Sequence, residues 1–524
     1  MARGAVLLWL LAAAGPLAAA NAAKAPPTAA VDRYYAQAAA PLLWLRDGRL
    51  SPAGRALLGE LAGAAARGLR PEDYNASALA RDAAALAPAP VAGAAATALD
   101  RALSQSAAHL VSDLQRGRVR PEDVGYALGF SRAPLDVLAA LRALSTSSTM
   151  AATLDGYEPS YRHYALLKQA LAQYRALAAL PALPPLPALK VRSVKPGEAY
   201  AGAGALRALL ERLGDLPPAG APPLAVLDKD LVAGLARFQS RHGLGADGVL
   251  GPSTWRALAV PLPTRVRQIE LSMERARWLP PPPDGPFILV NIPAFRLFAF
   301  RGPGDSEQAM TAMNVIVGQT FPQKNTPVFM ADLRYVVWRP YWDVPASIMR
   351  KEVLPRLRKD LAWGTKEGFE LVRGQSDNSP VVPLSAAALD ELQRGALRLR
   401  QRSGQDNALG LVKFMLPNRF NVYLHSTPAQ RLFGQTQRTF SHGCVRVADP
   451  VGLGRFLLAE DPSWTAERIQ SEMNAEGPPG RVYLKHPIPV VLYYATALAA
   501  EDGRVLFYND IYRHDLRLES LLSR

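Results

Sequence analysis

The residues best suited to chemistry lie in one short segment that contains the chain's single cysteine. Cys444 follows Ser441-His442-Gly443 and precedes Val445-Arg446, and a second histidine, His425, lies nineteen residues upstream. A cysteine attacks as the thiolate, and a neighbouring imidazole can take its proton and stabilise the resulting ion pair. Gly443 permits a tight turn beside the sulfur, so backbone N–H groups could face a developing oxyanion. The segment therefore predicts nucleophilic catalysis by Cys444.

The spacing leaves the identity of the base open, because both His425 and His442 are near Cys444 in sequence. Arg446 shares a face with Cys444 if this segment is a strand, and there it suits a substrate carboxylate. A lone cysteine is more often a small buried hydrophobe than a nucleophile. Here its neighbours are polar, and an unpaired thiol in an exported protein invites oxidation, which favours a catalytic role.

The N-terminus predicts the compartment. Residues 1–4 carry one positive charge, residues 5–17 are almost wholly apolar, and residues 18–23 are mostly small. This is the layout of a secretory signal peptide, so residues 1–23 predict export to the periplasm or cell envelope. Gly15-Pro16 interrupts the apolar run, which favours cleavage over a retained anchor, although the anchor stays open as an alternative.

Composition excludes several classes of protein. The 524 residues are enough for several domains, and 49% hydrophobic residues exclude a disordered chain. One cysteine excludes a disulfide framework and a multi-cysteine zinc site. The net charge of +15 is spread over all regions without a basic, aromatic-rich run, so nucleic-acid binding is not expected. The motifs of serine penicillin-binding enzymes, papain-like proteases and zinc peptidases do not occur.

Two helical regions precede the chemistry. Residues 31–180 are alanine-rich with helical spacing and predict a helical scaffold, followed by a proline-rich linker over 181–196. Residues 197–263 predict a compact three-helix unit, in which Asp247-Gly248 forms a tight turn before the last helix. Its glycines and Thr254-Trp255 resemble the peptidoglycan-binding module type 1. His242 is expected at the surface of this unit, near a turn.

The last region changes to short strands. Residues 286–500 contain apolar, β-branched runs punctuated by Gly and Pro, which predict a β-sandwich-like domain. Strands are expected at Phe420 to Leu424 among others, and residues 341–412 predict a helical insertion that could act as a lid. Residues 501–524 form a C-terminal segment. The expected fold class is therefore a multidomain α+β chain.

The motif Ser441-His442-Gly443-Cys444-Val445-Arg446, with His425 upstream, resembles the signature of the YkuD-type L,D-transpeptidases. The domain order further resembles the YcbB-like branch, whose catalytic domain carries an inserted capsule subdomain. The resemblance implies that Cys444 is the nucleophile, that His425 is the base, and that the backbone carbonyl of Ser426 orients the imidazole. Many relatives have glycine at the position of Ser426. It also implies an oxyanion hole bounded by His442, Gly443 and Cys444, and substrate contacts from Arg446, Ser441 and Tyr423.

The resemblance also implies a reaction. Cys444 would attack a tetrapeptide stem of peptidoglycan, release D-Ala, and pass the thioester to a neighbouring stem as a 3-3 cross-link. No metal or organic cofactor is needed. The partners are peptidoglycan stems, with other cell-wall enzymes as further candidates. Two alternatives stay open: an L,D-carboxypeptidase that uses water as acceptor, and a catalytically inactive peptidoglycan-binding scaffold.

Overall fold

The computed structural model describes residues 26–37, 40–85, 90, 92–130, 134–218, 225–306, 308–320 and 324–523. The predicted signal peptide, residues 1–23, lies outside the described residues. None of the described helices is both long enough and apolar enough to cross a bilayer.

Contacts divide the chain into two compact units. The first comprises Met1–Ala62, Pro71–Ser112 and Leu135–Leu154, and the second comprises Gly63–Arg70, Asp113–Pro134 and Asp155–Arg524. In the first unit, the buried carboxylate of Asp100 accepts hydrogen bonds from the backbone N–H groups of Leu43, Trp44 and Leu45, which satisfies its charge. The elements that begin in the first unit are α1 (Thr28–Tyr35), β1 (Leu45–Arg46), β2 (Arg49–Leu50), α2 (Pro52–Ala62), α3 (Ala76–Ala85), α4 (Gly93–Arg116), α5 (Val137–Ser145) and α6 (Met150–Asp155).

The second unit begins with five helices: α7 (Arg162–Ala179), α8 (Ala203–Arg212), α9 (Lys229–Arg241), α10 (Pro252–Leu258) and α11 (Leu262–Ala276). Helices α8, α9 and α10 bury their apolar faces in one shared core, which matches the expected three-helix unit. Helix α7 shares a different core with α11, in which Leu171 and Met273 are buried. The last helix of the predicted scaffold range therefore packs within the second unit.

His242, at the end of α9, is not at the surface as the sequence suggested. Its ring stacks on Phe238 with centroids 3.7 Å apart and lies 5.7 Å from the ring of Phe507. Only 7% of the residue is exposed. The turn after α9 therefore packs against the C-terminal segment, and aromatic stacking outweighs the polarity of the imidazole at this position.

The rest of the second unit is rich in strands. Its strands are β3 (Phe287–Asn291), β4 (Arg296–Phe300), β5 (Thr311–Gly318), β6 (Phe329–Trp338), β7 (Trp342–Asp343), β8 (Phe369–Val372), β9 (Val381–Val382), β10 (Arg398–Gln401), β11 (Val412–Met415), β12 (Leu424–His425), β13 (Thr439–Ser441), β14 (Val445–Val447), β15 (Gly480–Tyr493), β16 (Ala497–Ala499) and β17 (Val505–Phe507). Its helices are α12 (Ala346–Ile348), α13 (Leu354–Lys359), α14 (Leu361–Lys366), α15 (Ala386–Arg394), α16 (Pro450–Leu457), α17 (Ala466–Asn474) and α18 (His514–Leu522).

One nine-stranded sheet organises this region, in the order β13-β5-β14-β12-β11-β6-β15-β3-β4. Strand β4 also pairs with β5, so the sheet closes on itself around a core of buried Val, Ile, Leu and Phe side chains. The α+β multidomain class is confirmed, and the sandwich-like domain is a single closed sheet. Strands β12 and β14, which carry the predicted chemistry, lie side by side within it.

The sequence predicts a helical insertion over 341–412. The insertion does contain helices, but it also contains a four-stranded sheet in the order β7-β10-β8-β9. Its strands are two to four residues long, too short to show a period of two in sequence. Between α12 and α13, residues Met349–Val353 form a π-helical turn. The insertion has its own core, in which Leu357, Leu371 and Leu389 are fully or almost fully buried.

Candidate active site

His425 lies at the centre of a row of residues that crosses three strands. In the antiparallel pair β11–β12 its register partner is Lys413, and in the parallel pair β12–β14 its partner is Arg446. Register partners on neighbouring strands project to the same face of a sheet. The buried imidazole is therefore flanked by two cationic side chains, one from each neighbouring strand.

The imidazole of His425 is fixed by the next residue. Its Nδ1 lies 2.6 Å from the carbonyl oxygen of Ser426, so Nδ1 carries the proton and Nε2 is left as the acceptor. Burial, followed by the cation of Arg446, lowers the pKa of His425 to about 3. The ring is therefore neutral at physiological pH, which is the state that a general base requires.

The side chain of Ser426 has its own structural role. Its hydroxyl accepts hydrogen bonds from the N–H groups of Leu411 and Val412 and donates to the carbonyl of Leu409. A Cβ atom at Gly410 would lie 2.3 Å from this hydroxyl, so glycine is needed there. The Ser426 side chain therefore connects the start of β11 to β12. Many relatives have glycine at this position, and the change to serine leaves the backbone carbonyl that contacts His425 in place.

Cys444 is half-buried just before β14, beside Tyr423. Its thiol donates to the carbonyl of Asn421 at 3.7 Å, and Tyr423 lies close enough to the sulfur to lower the pKa of the thiol. Burial raises the pKa of the Cys444 thiol, while Tyr423 and the cations of Lys413 and Arg446 oppose that rise. Cys444 is thus a neutral thiol at rest, in positively charged surroundings.

The sequence pattern did not identify Lys413 as a residue of the site. Its ammonium lies 3.9 Å from the centre of the Tyr423 ring, and burial lowers the pKa of Lys413 to about 8. A charged residue alternating with Val412 and Phe414 in a short strand is the signal that could have indicated it. Its position beside His425 depends on the pairing of β11 with β12, which no local pattern contains.

The turn before Cys444 is held from within by Ser441. The Ser441 hydroxyl donates to the carbonyl of Cys444 at 2.5 Å and accepts from the N–H of Gly443 at 3.1 Å. Only 2% of Ser441 is exposed and its hydroxyl is engaged within the turn, so its contact with substrate stays a prediction. Both hydrogen bonds of the Ser441 hydroxyl are made to residues of the same turn. Gly443 has φ +120°, which favours glycine.

The side chain of His442 contacts the insertion. Its Nε2 lies 2.9 Å from Oε1 of Glu352, in the π-helical turn of the insertion, and 2.8 Å from Nζ of Lys324. Lys324 also contacts the same carboxylate oxygen at 2.9 Å. The insertion therefore contacts residues 441–444, which we call the nucleophile turn because Cys444 is the candidate nucleophile. The side chain of His442 makes that contact.

Arg446 and Tyr423 are both close enough to Cys444 to lower the pKa of its thiol. Both side chains are half-buried, and the Nε atom of Arg446 has no hydrogen-bond partner among the described residues. A buried donor without a partner is costly, and a carboxylate ligand would satisfy it. Within the described residues, no group of three or more His, Cys, Asp or Glu side chains is placed to hold a metal ion.

A cavity of about 2440 Å³ is lined by the three-helix unit and the closed-sheet region, and its lining does not include His425, Cys444 or Arg446. Its walls include Gly243 and Thr254 of that unit and Thr320 and Asn325 of the closed-sheet region. The Asn325 carbonyl lies 3.7 Å from the point where a Cβ of Gly443 would be.

Three family models match separate parts of the chain. They describe a scaffold domain over residues 29–171, a peptidoglycan binding domain over 201–258 and the YkuD L,D-transpeptidase catalytic domain over 285–483. A curated Haemophilus influenzae protein that carries the name of an L,D-transpeptidase is 30% identical over 286 residues. The aligned part covers 53% of this chain and 55% of the relative, about half of each.

Proposed function

We propose a specific reaction for this chain, which has the three-domain organisation of the YcbB-like branch of the YkuD-type L,D-transpeptidases. It forms 3-3 cross-links in peptidoglycan through a thioester on Cys444. The observation that supports this most directly is the arrangement of His425, whose Nδ1 is committed to Ser426 while Nε2 is left to accept a proton. Export to the periplasm by residues 1–23, and association with other cell-wall enzymes, belong to the same proposal.

The two neutral groups define the first step. As Sγ of Cys444 bonds to the carbonyl carbon before D-Ala, the thiol proton passes to Nε2 of His425. The carbon–nitrogen bond then breaks, and D-Ala leaves with the proton from His425 as the thioester forms. Because both groups are neutral at rest, negative charge develops on the sulfur only during attack, and the cations of Lys413 and Arg446 stabilise that negative charge.

The second step resolves the thioester. The amine of a neighbouring stem attacks the carbonyl carbon, gives a proton to His425, and displaces the thiol of Cys444, which recovers that proton. The unpaired Nε of Arg446 suits a carboxylate of the substrate. The match of residues 201–258 to a peptidoglycan binding domain supports a polymer that carries both stems as substrate.

Product analysis separates this reaction from its alternatives. Wild type and Cys444→Ala are incubated with disaccharide-tetrapeptides, and the products are identified by mass spectrometry. Cross-linked dimers are expected from the wild type and none from the variant. Tripeptides without dimers would instead indicate an L,D-carboxypeptidase. Unchanged substrate with both proteins, together with binding to sacculi, would indicate an inactive scaffold.

A further inference from the structure

A layer of polar contacts lies behind the turn that carries Cys444. Thr326 is 1% exposed, and its hydroxyl donates to the carbonyl oxygen of Gly443 at 2.8 Å. The same hydroxyl accepts from the N–H of Gly318, at the end of β5, also at 2.8 Å. The hydroxyl is thus satisfied both as donor and as acceptor, which fixes its orientation.

Tyr512 closes this arrangement from the C-terminal segment. Its hydroxyl donates to the carbonyl of Gly318 at 2.6 Å and accepts from the N–H of Thr326 at 3.2 Å. The N–H of Tyr512 donates to the Tyr494 hydroxyl, which in turn donates to Asp510. Tyr512 lies beyond residues 285–483, which match the catalytic domain, yet it is two hydrogen bonds from the nucleophile turn.

Gly318 makes the close approach possible. A Cβ atom at this position would lie 2.0 Å from the carbonyl oxygen of Lys324 and 2.7 Å from the backbone nitrogen of Thr326. No other residue fits without moving that backbone. The contact between Thr326 and the turn therefore depends on the close approach of the backbone at Gly318 to the backbone of residues 324–326.

The anchored carbonyl determines where the next N–H points. In a planar trans peptide the C=O and N–H bonds are directed to opposite sides, so a fixed Gly443 carbonyl also fixes the N–H of Cys444. The N–H of Gly443 is already donated to Ser441. The N–H of Cys444 donates to no acceptor within the described part of the chain and is the donor left for an oxyanion.

We propose that Thr326 and Tyr512 are positioning residues, which hold the Gly443–Cys444 peptide so that the N–H of Cys444 faces the oxygen of the carbonyl under attack. This inference rests on the proposed acyl transfer. It assigns a role in catalysis to a buried threonine on the loop after β5 and to a tyrosine of the C-terminal segment, neither of which contacts the reacting atoms.

The test compares two reactions of the same thiol. The resemblance to the L,D-transpeptidases implies that a carbapenem acylates Cys444, a reaction that passes through an oxyanion, whereas alkylation by iodoacetamide needs the thiolate alone. For Thr326→Val we expect the first-order acylation constant to fall about tenfold to a hundredfold, less than or similar to the loss of a whole oxyanion donor. The carbapenem concentration at half-saturation and the alkylation rate stay within about twofold of the wild type, and Thr326→Ser restores acylation.

Tyr512→Phe provides a second variant, because it removes only the hydroxyl that supports Thr326. We expect acylation about threefold to tenfold slower, with alkylation unchanged. Wild-type acylation rates in Thr326→Val, or equal losses in both reactions for both variants, would overturn the inference. If iodoacetamide alkylated the wild type but the carbapenem did not acylate it, the proposed function would be overturned, and this inference with it.

Discussion

His425 and Arg446 are register partners on adjacent parallel strands, and the guanidinium of Arg446 is one reason why the imidazole stays neutral. Burial is the larger reason, and together they lower the pKa of His425 to about 3. The base of the proposed reaction is therefore unprotonated well below the pH at which an ordinary histidine titrates. The neutral thiol and neutral imidazole distinguish this site from one whose resting state is a thiolate–imidazolium pair.

Acylation by a carbapenem should be almost independent of pH between 5 and 7. Over this range His425 stays neutral and the thiol of Cys444, whose pKa is raised, stays protonated. Rate constants are measured across the range for the wild type and for Arg446→Gln. The variant removes a neighbouring cation, so the pKa of His425 rises and the acidic fall in rate moves upward. A wild type that loses half its rate near pH 6.5 would contradict this.

Lys413→Met should slow alkylation of Cys444 by iodoacetamide at pH 7, where Lys413 is charged, by about threefold to tenfold. Lys413 lowers the pKa of the thiol, so its removal raises that pKa and reduces the fraction of thiolate. Lys413→Arg keeps the charge and should stay near the wild-type rate. Equal rates for the Met variant and the wild type would show that this cation does not act on the sulfur.

Glu352→Gln should loosen the contact between the insertion and the nucleophile turn. Burial raises the pKa of Glu352, but hydrogen bonds from Lys324 and His442 outweigh it and lower the pKa, so the carboxylate is charged at neutral pH. An exposed ion pair of this kind contributes about 1 kcal/mol or less. We expect amide exchange to rise a fewfold in residues 349–353 and around residue 442.

Asp390→Asn is the matched control. It breaks the ion pair with Arg358 inside the insertion, away from the nucleophile turn. Exchange around residue 442 should not change in this variant. If it rose as much as in Glu352→Gln, the effect would come from general loosening of the insertion.

Some features followed from local sequence. Asp449-Pro450 predicts the start of a helix, and the Asp449 side chain caps α16 by accepting from the N–H of Gly452. The turn chemistry of the three-helix unit and the motif around Cys444 are equally local. Each depends on residues only a few positions apart.

Other features depended on contacts that the sequence does not contain. The expected strand from Phe420 to Leu424 is reduced to Leu424–His425, because the side chain of Asn418 bonds the backbone of Phe420 and Val422 into a turn. Thr326, Glu352 and Lys413 meet the site through pairings distant along the chain. Patterns of hydrophobicity cannot indicate such pairings.

The buried His242 should make stability depend on pH. Burial, with the cations of Arg241 and Arg265, lowers the pKa of His242 well below its ordinary 6.5. Below pH 6.5 the unfolded chain binds a proton that the folded chain does not, so stability falls by about 1 kcal/mol per pH unit for this group.

His242→Gln removes that contribution. Its midpoint of thermal unfolding should differ less between pH 7 and pH 5 than that of the wild type. His486→Gln, at an exposed position, should keep the wild-type difference. Identical pH dependence in His242→Gln and the wild type would contradict the role assigned to burial.

The central claim is that Cys444 forms the covalent intermediate. Intact-protein mass spectrometry, followed by peptide mapping, is applied to wild type and Cys444→Ala after incubation with a carbapenem. We predict one adduct on the peptide that contains Cys444 in the wild type and none in the variant. An adduct that persists in Cys444→Ala, or its absence from the wild type, would contradict the assignment.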